Sequence, residues 1–264
     1  ETYTFPEESK YDDIEYSKKV YSKLIKEIWK YGTTRCCVFA TIHKESCKLL
    51  IELFNTSGLG AYVGKVNMDY DSPINLLEDT DNSINDTEEL LKEYRDKFPL
   101  VKPIITPRFV PSCSDKLLKS LGELAIKYNV PVQSHLSENR GEIKMVADRY
   151  PNEPNYASVY NSSNLLGQTK TIMAHCIHLS DEEITLLSNK NVYVAHCPTS
   201  NVNLSSGIAA IRKLINNGVK VGLATDISGG HTLSLIEVMA YTMQMSNLKW
   251  IESNYQDAPL TTAE

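Results

Sequence analysis

Short apolar runs rich in β-branched residues recur along the chain, each followed by a polar segment with helical spacing. They are TTRCCVFATI (33–42), LGAYVGKVNMD (59–69), VKPIITPRF (101–109), VPVQSHLSE (130–138), TKTIMAHCIHL (169–179), NVYVAHCPTS (191–200) and VKVGLATDIS (219–228). Because the apolar residues fall on consecutive positions and do not alternate, the runs predict parallel strands covered on both faces, with connections long enough for crossover helices. Between them, Tyr16, Val20, Leu24 and Ile28 mark one stripe of a helix over 12–31. Leu117, Leu118, Leu121, Leu124 and Ala125 do the same over 115–128, which opens on Ser114-Asp115 as a cap. Gly32, Gly58 and Gly218 stand where the chain should turn from helix back to strand, a place that favours positive φ. Segments 70–86 and 150–168 read as longer loops over a site. The alternation is α/β throughout, and it predicts a (β/α)₈ barrel of the TIM type whose first strand is missing, since the chain opens on a helix ahead of seven strands.

Length fits that expectation: 264 residues suit a single domain of roughly 250 residues, so 1–264 is expected to be one incomplete barrel domain. The ends are abrupt. Glu1 follows no Met, and DAPLTTAE at the close reads as the start of a further helix, so the chain is expected to be a piece of a longer protein. The formal charge of −6 is spread out, with no Lys/Arg block for phosphates, which argues against nucleic acid and for a small-molecule ligand. No apolar stretch is long enough to cross a bilayer, and ETYTFPEESKYDD is acidic where a signal peptide would be basic and then apolar. The six cysteines form no CxxC pair and mostly lie in apolar runs, as reduced, buried thiols of a cytoplasmic protein would.

In a parallel barrel the reactive groups sit where the strands end. The runs end on Arg108, His135 with Glu138, His175, His196 and Asp226. A lone histidine at a strand end more often satisfies backbone groups than it binds a ligand; joint occurrence at equivalent positions is what favours a site. His135 and Glu138 form H-x-x-E, in which a neutral imidazole suits Zn²⁺ and a carboxylate three residues on can shuttle protons. Asp226 could complete a metal site and accept a proton, its bland alternative being to cap the next helix. Arg108 offers directional donors and Phe109 a planar wall for a base, against the competing readings of a structural ion pair and a core residue. His196 is expected to be structural, hydrogen-bonded beneath the site, and His43, His178 and His231 are unassigned.

QSHLSEN (133–139), MAHCIHLS (173–180), AHCPTSN (195–201) and LATDISGG (223–230) follow one another in an order and spacing that resembles the deaminase branch of the amidohydrolase superfamily. TPRF (106–109), YTFP (3–6) and GKVNMD (64–69) are similar to its guanine-acting members. The resemblance implies one Zn²⁺ held in part by His135 and Asp226, with Glu138, Asp226 and His175 as catalytic groups and Arg108, Phe109, His135 and Glu138 around a purine. It implies hydrolytic deamination of guanine to xanthine and ammonia, and a homodimer. Other members of the branch act on adenine derivatives, pyrimidines or triazines, and a metal-free scaffold is a reading from another class. The family's first-strand His-x-His occurs nowhere in this chain, and neither does its small β-sandwich. Two ligands fall short of the usual three for catalytic zinc, so the chain alone is expected to bind zinc poorly and to be inactive.

Overall fold

The computed structural model describes residues 3–256 and 258–263. All seven apolar runs form strands, and two of them break in the middle. The strands are β1 (Arg35–Phe39), β2 (Gly60–Gly64), β3 (Val66–Asn67), β4 (Val101–Pro103), β5 (Thr106–Pro107), β6 (Val132–Leu136), β7 (Thr171–His175), β8 (Tyr193–His196) and β9 (Lys220–Leu223). They pair in the orders β1-β2-β4, β3-β5 and β6-β7-β8-β9, and β1 with β2, β2 with β4, β3 with β5, β7 with β8 and β8 with β9 run parallel. Among the described residues these ladders are open, so the parallel strand-helix repeat of the expected barrel is present without its closure. No described helix is long and apolar enough to cross a membrane.

The chain forms two compact units, Glu1–Gln133 with Ser163–Leu165, and Ser134–Ser162 with Leu166–Glu264. In the first, the helix Ile14–Lys30 starts on Asp13, whose carboxylate accepts from the Glu15 and Tyr16 amides. Its buried line is Ser17, Tyr21, Ile25 and Ile28, so the expected stripe of Tyr16, Val20, Leu24 and Ile28 is displaced by one residue over most of its length. Serine is tolerated on that line because Ser17 Oγ bonds Ser46 Oγ and the Tyr11 carbonyl, both at 2.9 Å. The helix Lys44–Ser57 buries Cys47, Leu50, Ile51 and Phe54 and stops at Gly58 with φ +78°. The helix Asp115–Tyr128 buries its expected leucines, capped by Ser114.

Segment 70–86 is only partly loop, because Asp79 accepts from the Asn82 amide and starts the helix Thr80–Tyr94. The break between β2 and β3 lies beside Gly64, where a Cβ would come within 1.8 Å of Thr106 Oγ1 and 2.7 Å of Gln133 Nε2. Only glycine lets those layers approach, and Gln133 Nε2 uses the space to donate to the Val38 carbonyl and to Thr106 Oγ1. Phe5 packs on Val66, Met68 and Leu76, which brings the short helix Thr4–Glu8 onto the strand ends.

In the second unit, segment 150–168 also departs from the expected loop. It contains the helix Tyr156–Ser162, which buries Tyr156, Ala157, Val159 and Tyr160. The helices Arg140–Arg149 and Asp181–Asn189 open on reciprocal capping boxes, Asn139 with Glu142 and Ser180 with Glu183. The expectation of strands covered on both faces fails for β1 and β9, the outer strands of their ladders: β1 exposes Arg35 and Cys37 on one face, and β9 has exposed residues on both. Cys37, on β1, is exposed for that reason, unlike the buried Cys47, Cys113, Cys176 and Cys197. Residues 258–263 of the closing segment form no helix, while its Asp257 and Glu264 lie outside the described residues. Arg212 Nη2 donates to the Pro259 carbonyl at 2.7 Å, and Leu260 is buried.

Candidate active site

The strand ends of the second unit carry His135 and Glu138, His175, His196 and Asp226. His175 is their hub. It is almost fully buried at the end of β7, its ring stacks on that of His135 with centroids 5.3 Å apart, and Nε2 lies 3.8 Å from Glu138 Oε2. Its Nδ1 is 2.9 Å from Asn201 Oδ1, a pure acceptor. Nδ1 therefore holds the proton, and in the neutral ring Nε2 presents a lone pair. Donor atoms of His175, Cys197 and Asp226 lie within 4.8 Å of one another.

The backbone is bent to make this arrangement. Ser137, His175, Cys176 and Asp226 take φ of +51°, +67°, +51° and +44°, a left-handed region that non-glycine residues occupy at a cost and that concentrates at functional sites. Asp226 does not cap the next helix; the cap of Leu235–Glu252 is Ser234. Instead the Asp226 carbonyl accepts from the Gly230 amide at 2.6 Å, closing a tight turn. Gly230 is required there, because a Cβ would meet the Thr225 carbonyl at 2.0 Å.

Glu138 is oriented by a relay. His178 Nε2 contacts the Ser206 carbonyl at 2.8 Å, and Ser206 Oγ donates to Glu138 Oε1 at 3.1 Å, so Oε2 is the oxygen turned to His175. Tyr160 holds the His135 segment by donating to the His135 carbonyl at 2.8 Å. His196 is buried as expected, but its Nδ1 finds no partner among the described residues. Burial, with the neighbouring His175, lowers its pKa to about 4, so it stays neutral. Behind Glu138, burial raises the Glu142 carboxyl to about 7, with the charge of Glu138 adding to the rise and the Tyr156 hydroxyl opposing it.

Asn201, Cys197, Ser206 and Tyr160 were not singled out by sequence. Asn201 and Cys197 lie inside AHCPTSN, where only the histidine ends a strand and draws attention. Ser206 and Tyr160 lie in no motif, and no sequence signal marks them.

In the first unit, Arg108 and Phe109 follow β5. Arg108 forms the ion pair that competed with its binding role: Nη1 donates to Glu8 Oε1 at 2.9 Å and Oε2 at 2.8 Å. Its guanidinium carbon stands 5.0 Å from the centre of the Phe5 ring, and Nη1 is 3.4 Å from Met68 Sδ. Phe109 is half-buried, so it is not a core residue.

The donor set tests whether zinc fits. An imidazole nitrogen, a carboxylate and a thiol within one small radius, beside a second imidazole, are the ligand types zinc takes. Burial and the charge of Asp226 hold the Cys197 thiol protonated, leaving imidazole and carboxylate as the better donors. Thr199 Oγ1, Ser200 Oγ and Asn201 Nδ2 are buried without partners among the described residues, so the surroundings are polar. The residues fit the ion.

A strand-end cluster of imidazoles and carboxylates on a parallel α/β scaffold agrees with the profile of the amidohydrolase family, which matches residues 4–262. The chain belongs to the amidohydrolase family. Within it, the chain is 45% identical over its whole length to guanine deaminase of Dictyostelium discoideum, covering 58% of that protein. It is 41% identical over 93% of its length to guanine deaminase of Homo sapiens, covering 54% of it. It superposes with TM-score 0.98 and 53% identity on the crystal structure of guanine deaminase from C. acetobutylicum with bound guanine in the active site, over 99% of this chain and 62% of that one. The chain thus spans a little over half the length of the relatives it matches.

Proposed function

We propose that the whole protein hydrolyses guanine to xanthine and ammonia, using one Zn²⁺ held in part by His135 and Asp226. The His175-centred cluster carries this reading, because a ring whose tautomer is fixed by Asn201 stacks on His135 and faces Glu138, Cys197 and Asp226. It is supported by the guanine deaminases at 41–45% identity. Zinc, when bound, supplies Lewis acidity that makes water a nucleophile near neutral pH.

The chain's own residues supply the rest. Asp226 accepts a proton from the attacking water. Both protons that the reaction moves come from that water. Glu138 Oε2, charged with the first as the water adds, passes it to a purine ring nitrogen, which withdraws electron density from the amine-bearing carbon. The second, relayed from the new hydroxyl by Asp226 and Glu138, goes to the amine as it departs as ammonia. The lone pair on His175 Nε2 orients the water. Arg108 donates to an electronegative substituent of the purine and Phe109 lies against its face.

The test is a substrate panel for the zinc-loaded whole protein: guanine, adenine, an adenosine derivative, cytosine and a triazine. The expected result is xanthine from guanine, abolished in Asp226→Asn together with bound zinc. Turnover of the adenosine derivative with none of guanine would reject the assignment.

A further inference from the structure

The most specific contact outside the hydrolytic cluster is made on Arg108 by the N-terminal segment. Glu8 lies 100 residues away in sequence, yet both its carboxylate oxygens sit on the same guanidinium nitrogen, with only 13% of the Glu8 side chain and 20% of the Arg108 side chain exposed. A charge-assisted pair shielded to this degree holds its geometry better than a surface ion pair, in which two long side chains rotate in water. The helix Thr4–Glu8 is itself anchored, because Phe5 packs on Val66, Met68 and Leu76. The same Phe5 ring takes the guanidinium at 5.0 Å, within the range of a cation–π contact. One short segment thus grips Arg108 twice, through the Glu8 carboxylate and through the Phe5 ring.

We infer that Glu8 is a positioning residue for substrate recognition: its grip on Nη1 holds Arg108 in the pose that meets the purine, so Glu8 sets affinity for guanine without touching it. The inference rests on the proposed reading of Arg108 as a purine-binding residue. A guanidinium that wanders among rotamers must be ordered when the substrate binds, and that ordering subtracts from affinity. Glu8 orders it beforehand. Because the pose is the same in the ground state and the transition state, the effect falls on KM and not on kcat.

The experiment is a double-mutant cycle in the zinc-loaded whole protein with guanine as substrate: Glu8→Ala, Arg108→Ala and both together, with Tm measured for each. Loss of a hydrogen-bonded charged partner predicts a KM for E8A raised about 10- to 100-fold, with kcat within about 3-fold of the parent. Glu8→Gln, which keeps one acceptor oxygen, should raise KM less. The double variant should be no worse than R108A, since Glu8 acts only through Arg108. An unchanged KM in E8A, or effects of E8A and R108A that multiply, overturns the role of Glu8. An unchanged KM in R108A instead overturns the reading of Arg108 on which it rests. Should E8A fail to fold, the cycle is run with E8Q, whose isosteric side chain preserves the packing.

Discussion

In the first unit the buried charges close on one another. Lys65, 3% exposed, pairs with Glu78, whose second oxygen accepts from the Met68 amide and from Ser83 Oγ. Asp69 accepts from the Ser114 amide and hydroxyl and from Thr80 Oγ1. Asn67 Nδ2 donates to Ser83 and Thr87, while its buried Oδ1 has no partner among the described residues. In the second unit the polar groups at the strand ends lack such counter-charges among the described residues and sit on bent backbone. Left-handed backbone recurs at Ser137, His175, Cys176 and Asp226, and between 196 and 201 His196, Thr199, Ser200 and Asn201 each bury an atom with no partner among the described residues. The contrast separates polar residues that hold a strand end in place from those kept ready for a ligand. Burial alone does not distinguish the two, and single buried atoms without a partner among the described residues occur in both units; charges closed on a counter-charge on one side and left-handed backbone at the strand ends on the other do distinguish them.

The sharpest way to break this contrast is on the ligand-ready side. Glu138→Gln keeps the shape and the Ser206 contact but cannot carry a proton, so kcat in the whole protein should fall about 100- to 10,000-fold, with bound zinc and Tm near parental values. A large loss of stability would place Glu138 with the closed network. The reciprocal change is Lys65→Met, which strands Glu78 without its counter-charge. It should destabilise the fold by about 3–5 kcal/mol, measured by urea unfolding, while kcat of the folded fraction stays unchanged.

A smaller effect tests Glu142, which with Glu183 is one of the carboxyls of the second unit whose charged form burial disfavours. Its pKa in the fold is about 7 against an ordinary value of 4.5, so the fold prefers the protonated form. That contribution is complete below the ordinary value and is lost as pH rises toward about 7, after which stability from this group is flat. The shift corresponds to roughly 3 kcal/mol at most. Glu142→Gln should therefore match the parent in urea unfolding near pH 4.5 and exceed it above pH 7; a constant gap between the variants would show that Glu142 does not titrate in this range.

The strand positions were legible because consecutive apolar β-branched residues have few alternatives once glycine stops flank them. All seven runs became strands, and Gly32, Gly58 and Gly218 take φ of +73°, +78° and +79°. The failures share one cause. Periodicity registers apolar side chains, so it put Tyr16 and Val20 on the buried line of the first long helix when the burial of Ser17 depends on a hydrogen bond to Ser46, far off in sequence. It also passed over the caps at Asp79 and inside 150–168, where polar residues start helices within segments read as loops. Within the candidate site, His135, Glu138, His175 and Asp226 were visible because each ends or follows an apolar run. Asn201 and Glu8 were not, because each acts on a side chain supplied by a distant segment.

The paired glycines after Asp226 set a limit for anyone wishing to redirect this scaffold to other substrates. A Cβ on Gly229 would press within 2.5 Å of Ser200 Oγ and 2.8 Å of Asp226 Oδ2, and one on Gly230 would strike the Thr225 carbonyl. Libraries that randomise this turn will return glycine at 230, and at 229 a larger residue comes only with displacement of the Ser200 hydroxyl and the Asp226 carboxylate, so new specificities have to be sought where side chains already have room to vary.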